Sequence, residues 1–188
     1  MPMTKRIIVG ISGASGIIYG IRLLEILAKT DYETHLIISK AAQQARGYEV
    51  TLSSQKLINL ADKYYPIDDI AAAVASGSFK TLGMIIAPCS MKTLASIACG
   101  VTSNLLTRAA DVVLKERRKL VLMVRESPLH LGHLENMQKV TQLGAIVAPP
   151  IPAFYNQPQT LDDIVNHSLG RVLDLFDIDV GIVKRWKE

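Results

Sequence analysis

Five short stretches place residue types that do chemistry just past an apolar run. Ser12, Gly13 and Ser15 follow Ile7-Ile8-Val9-Gly10-Ile11, and Ser39 follows the run 33–38. Pro88-Cys89-Ser90-Met91-Lys92-Thr93 follows residues 84–87, and Arg125-Glu126 follows 120–124. Ala153-Phe154-Tyr155 follows 145–148 and the stiff exit Pro149-Pro150-Ile151-Pro152. Hydroxyls, cations and a phenol suit a small phosphorylated ligand, because charge-assisted hydrogen bonds to phosphate are strong. A carboxylate in such company suits proton transfer. If the apolar runs are parallel strands, all five stretches meet outside the strand carboxyl ends, where doubly wound sheets bind their ligands.

The first stretch carries the most backbone information. Gly10, Gly13 and Gly16 form a G-x-x-G-x-x-G turn between a buried strand and a helical pattern, with Ile17, Ile18, Ile21, Leu24 and Leu27 on one face. Strand, glycine turn and helix N-terminus together favour an anion, though a plain strand-to-helix turn has the same outline. A dinucleotide site also wants an acid at the end of the second strand. Here that strand ends in Ile37-Ile38-Ser39-Lys40. This argues against NAD and leaves room for a mononucleotide such as FMN.

The remaining candidates each carry two readings. Ser90 and Thr93 cap a helix or touch a ligand. Arg108, Asp111 and Lys115 share the only polar face of a helix over 104–117, either as a solvated stripe with an Asp111–Lys115 ion pair or as the wall of a cleft. Arg125-Glu126 is a surface pair or a functional one. Cys89 has no histidine near it in sequence to activate it and reads as a buried thiol. His130 and His133 lack the acid or cysteine company of a metal site, and no aspartate-rich pair suits magnesium.

These residues require an alternating scaffold. Helices are expected over 41–47, 54–62, 68–75, 91–98, 104–117 and 131–143. A last helix starts at Thr160 with Asp163 as its capping partner, and its stripe is Leu161, Ile164, Val165, Leu169, Val172, Leu173 and Phe176. Tyr64-Tyr65-Pro66 reads as a short extended piece. The pattern is a three-layer α/β domain, a Rossmann-like or flavodoxin-like parallel sheet with helices on both faces. Hydrophobic residues make up 49% of the 188 and charged ones 20%, which is globular rather than disordered. The formal net charge of +4 with 5% aromatics gives little support for nucleic-acid binding. No apolar run reaches membrane-span length, and the glycines after Lys5-Arg6 argue against a signal peptide. Two cysteines build no disulfide framework, so a reducing cytoplasm is expected.

With these motifs together, the chain resembles the flavin prenyltransferases of the UbiX/Pad type. The matching stretches are GISGASG (10–16), ETHLIISKAA (33–42), ASGSF (75–79), PCSMKT (88–93), TRAADVVLKERR (107–118), VRESPLHLGHLENM (124–137), PAFYNQPQTLDDIV (152–165) and RVLDLFDI (171–178), with the tail RW at 185–186. The resemblance implies transfer of a dimethylallyl group from dimethylallyl monophosphate to N5 and then C6 of reduced FMN, without metal. The prenylated FMN would serve a UbiD-type decarboxylase, as in ubiquinone biosynthesis. It implies that Gly13, Ala14, Ser15, Ser39, Ser90, Met91, Lys92, Thr93 and Arg125 hold FMN. Arg108, Lys115, Arg125, Tyr155 and Arg171 would surround the prenyl phosphate, some from neighbouring subunits of a dodecamer. Glu126 would move a proton, with Ser15 near the flavin and Glu49 and Trp186 closing the pocket. Residues 1–178 would form the flavin-binding domain and 179–188 a tail docking on a neighbour. The alternatives are an FMN-dependent decarboxylase of the phosphopantothenoylcysteine decarboxylase type, or a flavin-binding partner without chemistry. The first would use a histidine before the strand at 84, and residues 62–83 contain none.

Overall fold

The computed structural model describes residues 5–183, 185 and 187. Their order is β1 (Lys5–Ile11), α1 (Ile17–Leu27), β2 (Tyr32–Ile38), α2 (Lys40–Glu49), α3 (Ser54–Ile58), β3 (Lys63–Tyr65), β4 (Gly83–Cys89), α4 (Met91–Ala98), α5 (Leu105–Lys115), β5 (Lys119–Val124), α6 (Leu131–Gln142), β6 (Ile146–Val147) and α7 (Leu161–Asp174). The six strands run parallel in the order β3-β2-β1-β4-β5-β6. The order reverses between β1 and β4, so a crevice opens where those two strands end.

Period-two alternation divides the interior into two cores. Ile7, Val9 and Ile11 of β1 face a layer that includes Leu24 of α1 and Leu169 of α7. Ile8 of β1, with Met84 and Ile86 of β4, faces Leu94 of α4 and Leu106 of α5. Both faces are therefore covered, and the central strands read as continuous apolar runs. Gly10 is a contact glycine. A Cβ there would stand 2.6 Å from Leu106 Cδ1 and 3.0 Å from Met84 Cε, so a larger residue would have to push these core side chains aside.

The expected three-layer parallel α/β fold is present, with three local departures. Residues 68–75 do not form a helix; only Ala73–Ala75 make one 3-10 turn. Ala72 and Val74 are drawn into the core. The Ile67 carbonyl accepts from Leu105 N at the start of α5. Packing overrides alanine's helix propensity here. Likewise α3 stops at Ile58 rather than reaching Asp62. Asp62 instead accepts from Thr34 N and Thr34 Oγ1, both at 2.8 Å. Those bonds hold its carboxyl below the usual carboxylate range and draw the chain alongside β2, where the extended piece at 64–65 pairs as β3. At the start of α7, Leu161 is 80% exposed and so lies off the stripe expected to pack inward.

Candidate active site

Ser12 ties together the two strands that flank the crevice. Its hydroxyl donates to the Pro88 carbonyl at 3.0 Å and accepts from Ser90 N at 2.8 Å, while its own N–H donates to the same carbonyl. Ser12 is fully buried, so it serves as the stitch while its neighbours Gly13 and Ser15 reach the surface.

Next to this stitch, three helices begin on one cleft of about 210 Å³. It is lined by Ser39, Lys40 and Ala41 of α2, by Ser90, Lys92 and Thr93 of α4, and by Asn104 and Thr107 of α5, with Gly13 at its edge. Each helix carries its own cap. Ser39 Oγ accepts from Ala42 N, Ser90 Oγ from Thr93 N and Asn104 Oδ1 from Thr107 N. A cap satisfies one of the four unpaired N–H groups of a helix start. The others, with three positive dipole ends and the Lys92 amine, form a seat for an anion, while the Lys40 amine is paired at 2.9 Å with Asp68, a carboxylate of the same lining. A Cβ on Gly13 would come within 2.4 Å of Ala41 Cβ, so the glycine keeps the mouth of this seat open.

The N-terminus of α1 is already partnered. Gly16 N and Ile17 N both donate to Glu49 Oε2, at 2.9 Å each. Gly16 has φ +102°, which a glycine adopts without strain. Glu49 thus closes over the Ser15 turn from the far end of α2.

Two larger clefts flank the sheet. Tyr155 and Arg171 share one of about 620 Å³, together with Arg185, His167 and an apolar wall of Met123, Pro150 and Leu175. Lys115, Asp111 and Lys139 line another of about 570 Å³ between α4, α5 and α6. The two have no lining residue in common. Within a single chain, therefore, the expected phosphate contacts are divided. Arg108 is paired with Asp111 at 2.7 Å, and Lys115 with Glu116 rather than with Asp111 as expected. Arg125 and Glu126 follow β5 and are exposed; Glu126 Oε1 accepts from Ser127 N. Ala14 and Ser15 lie in the turn after β1 and Met91 opens α4, and Trp186 lies outside the described residues.

Several groups were not signalled by local sequence. Asp174 accepts from Arg171 at 2.7 Å and from both terminal nitrogens of Arg185 at 3.1 Å. The Arg185 hydrogen bonds, then the guanidinium charges, hold its carboxyl low. Asp174 thereby sets two cations in one cleft, and an i,i+3 pair on α7 is the only local hint of it. Cys89 is buried and its thiol is pushed up by that burial, as expected of an inert thiol. Among the described residues, no group of three or more His, Cys, Asp or Glu could hold a metal ion, and no helix is long and apolar enough to cross a membrane.

A Rossmann-ordered sheet with an anion seat at its reversal point defines a nucleotide-binding α/β protein, and the flavoprotein family model matches residues 2–173. The chain is 57% identical over 185 residues to the flavin prenyltransferase UbiX of Neisseria meningitidis, covering 98% of each. Its fold superposes with a TM-score of 0.96 on AnUbiX (PadA1), solved with FMN and dimethylallyl pyrophosphate, at 48% identity over 98% of both chains. A dodecameric FMN-dependent UbiX-like decarboxylase from Escherichia coli O157:H7 gives 0.95, also at 48% identity, over 97% of this chain and all of that one. The chain belongs to the flavin prenyltransferase family.

Proposed function

We propose that this protein joins a dimethylallyl group from dimethylallyl monophosphate to reduced FMN, giving prenylated FMN for a UbiD-type decarboxylase. The observation that carries this reading is the convergence of α2, α4 and α5 on one anion seat at the sheet's reversal point. It suits the single phosphate of FMN, with Gly13, Ala14, Ser15, Ser39, Ser90, Met91, Lys92, Thr93 and Arg125 around the nucleotide. Reduced FMN supplies the nucleophilic N5 and C6. When the carbon–oxygen bond of the prenyl phosphate breaks, negative charge grows on the leaving phosphate. Arg108, Lys115, Arg125, Tyr155 and Arg171 would take up that charge, the part a metal plays for diphosphates. Closing the new ring releases a proton, and in this reading Glu126 would accept it, with Ser15 and Glu49 near the flavin.

The division of the cationic residues between two clefts supports a site assembled from neighbouring copies, and a dodecamer belongs to the same proposal. Ile151, Phe154 and Leu161 are more than 70% exposed, an apolar surface that another copy would cover. Docking of the tail, with Trp186, on a neighbour starts from a tail anchored on its own α7 through Val183 and Arg185. The two free cysteines suit the reducing cytoplasm as its compartment.

The test is anaerobic incubation with reduced FMN and dimethylallyl monophosphate, followed by mass spectrometry of the released flavin. The expected result is FMN heavier by one dimethylallyl group. Unmodified FMN as the only flavin, from protein that binds it, would favour the flavin-binding partner.

A further inference from the structure

A buried histidine stands behind one of the expected phosphate contacts. His167 lies on α7 one turn before Arg171 and is 6% exposed. Its Nε2 stands 3.2 Å from the Tyr155 hydroxyl and shares a hydrogen bond with it. The two rings meet edge to face, with centroids 5.5 Å apart and planes at 80°. Tyr155 comes from a segment without regular structure and is 45% exposed, whereas His167 sits on a capped helix. Both rings line the cleft that holds Arg171.

We propose that His167 is a positioning residue that holds the Tyr155 hydroxyl at the rim of this cleft, on the side from which the prenyl phosphate meets Arg171. This rests on the phosphate reading of the cleft given above.

An imidazole buried in a helix face costs free energy unless its nitrogens are paired. His167 occupies the buried face of α7 alongside Val165, Leu169 and Val172, where an aliphatic residue would pack without that cost. Its Nδ1 is buried with no partner among the described residues, so the Tyr155 bond is what its ring chemistry secures. A loop side chain gains most from such a tether, because a rotamer fixed beforehand need not be frozen when ligand binds. The charged groups about the ring are Arg171 and Asp174 of α7, with Arg185 of the tail in the same cleft. Burial, then the Arg171 charge, holds the imidazole below its ordinary range and hence neutral at pH 7. A neutral ring can give or take a hydrogen bond and adds no cation competing with Arg171 for the phosphate.

The test compares His167→Leu, His167→Asn and His167→Gln, alone and with Tyr155→Phe, in FMN-loaded enzyme with dimethylallyl monophosphate as the varied substrate. Loss of a neutral hydrogen bond is expected to raise the KM for the prenyl phosphate about three- to tenfold, with kcat and FMN affinity near parental. Gln reaches the Nε2 position and should recover most of the loss; Asn, too short, should resemble Leu. The effect should vanish in the Tyr155→Phe background. A Leu variant that fails to fold leaves the Asn–Gln difference as the readout. Parental KM in both Leu and Asn, with a raised KM in Tyr155→Phe, would overturn the role of His167 alone. So would an undiminished effect in the Tyr155→Phe background. Parental KM in Tyr155→Phe itself would overturn the phosphate reading of Tyr155, and this inference with it.

Discussion

The anion seat and the Tyr155 cleft differ in what they are made of. The seat is mostly backbone: three helix starts, each fixed by a cap within three residues, on the rigid end of a parallel sheet. The Tyr155 cleft is mostly side chain: a phenol on a loop, a buried histidine, and two arginines held by one aspartate. The three helix starts of the seat all come from one chain. The cleft holds only Tyr155 and Arg171 of the expected phosphate contacts, while Lys115 faces elsewhere. The difference teaches that an anion seat can be built from backbone that the fold itself sets, whereas the proposed handling of the prenyl phosphate would rest on long side chains and on neighbouring copies.

The largest expected effect belongs to neither region. Glu126→Gln should leave FMN and prenyl phosphate bound and slow single-turnover product formation about 10²–10⁴-fold. Unchanged turnover would remove Glu126 from the chemistry.

Next come Lys115→Ala and Arg171→Ala. Each loses a charge-assisted bond of roughly 1.5–3 kcal/mol. The prenyl phosphate needed for half-maximal rate should rise about 10- to 100-fold, while FMN titration stays parental. If the two residues act in one site across a subunit boundary, a co-assembled mixture of the variants should recover activity in about a quarter of its sites, as random placement predicts. No recovery from a verified mixed assembly would place both residues on the same chain's side of the site.

Gly13→Ala probes the seat. Its methyl meets Ala41 at 2.4 Å, and overpacking of that kind costs about 1–3 kcal/mol. FMN affinity, measured by fluorescence quenching, should fall about 5- to 150-fold, with the prenyl phosphate KM of the loaded enzyme little changed. A large change in that KM alone would reverse the contrast.

The smallest effect is on pH. Burial, as the leading cause, lowers both His35 and His167. His35 lies between Glu33 at 2.9 Å and the Tyr65 hydroxyl at 2.9 Å. A histidine whose folded pKa lies below its unfolded value contributes stability above about pH 6.5, lost as pH falls below it. Urea midpoints should therefore decline from pH 7 toward 5, and His35→Gln should flatten that decline. A midpoint that rises over this range would contradict the sign.

What could be read in the sequence follows the same division. The sheet was legible because apolar runs and glycine stops are local. So were the caps: Ser90 caps α4, and Thr160 with Asp163 forms a complete capping box. The 68–75 segment was not legible, since Ala72 and Val74 answer to a core contact rather than to their own propensity. Nor were the pairs that set the site. Glu49 meets Gly16 across 33 residues, and Arg185 meets Asp174 across 11. No window of periodicity sees such pairs. Likeness to a family pointed to Glu49 and Arg171 but did not disclose that Glu49 binds a helix terminus or that Arg171 shares Asp174.

The α2 carboxylate that occupies the N-terminus of α1 can also be viewed as a matter of competition. Dinucleotide-binding relatives of this architecture offer the first helix terminus to a pyrophosphate. Here the chain brings its own anion, and a tethered group acts at an effective concentration on the order of millimolar. A soluble pyrophosphate would have to displace Glu49 before gaining either N–H. Ligand choice is thereby decided in part by occupancy, before any outside molecule arrives. Converting this scaffold to bind a dinucleotide would have to begin by evicting the resident.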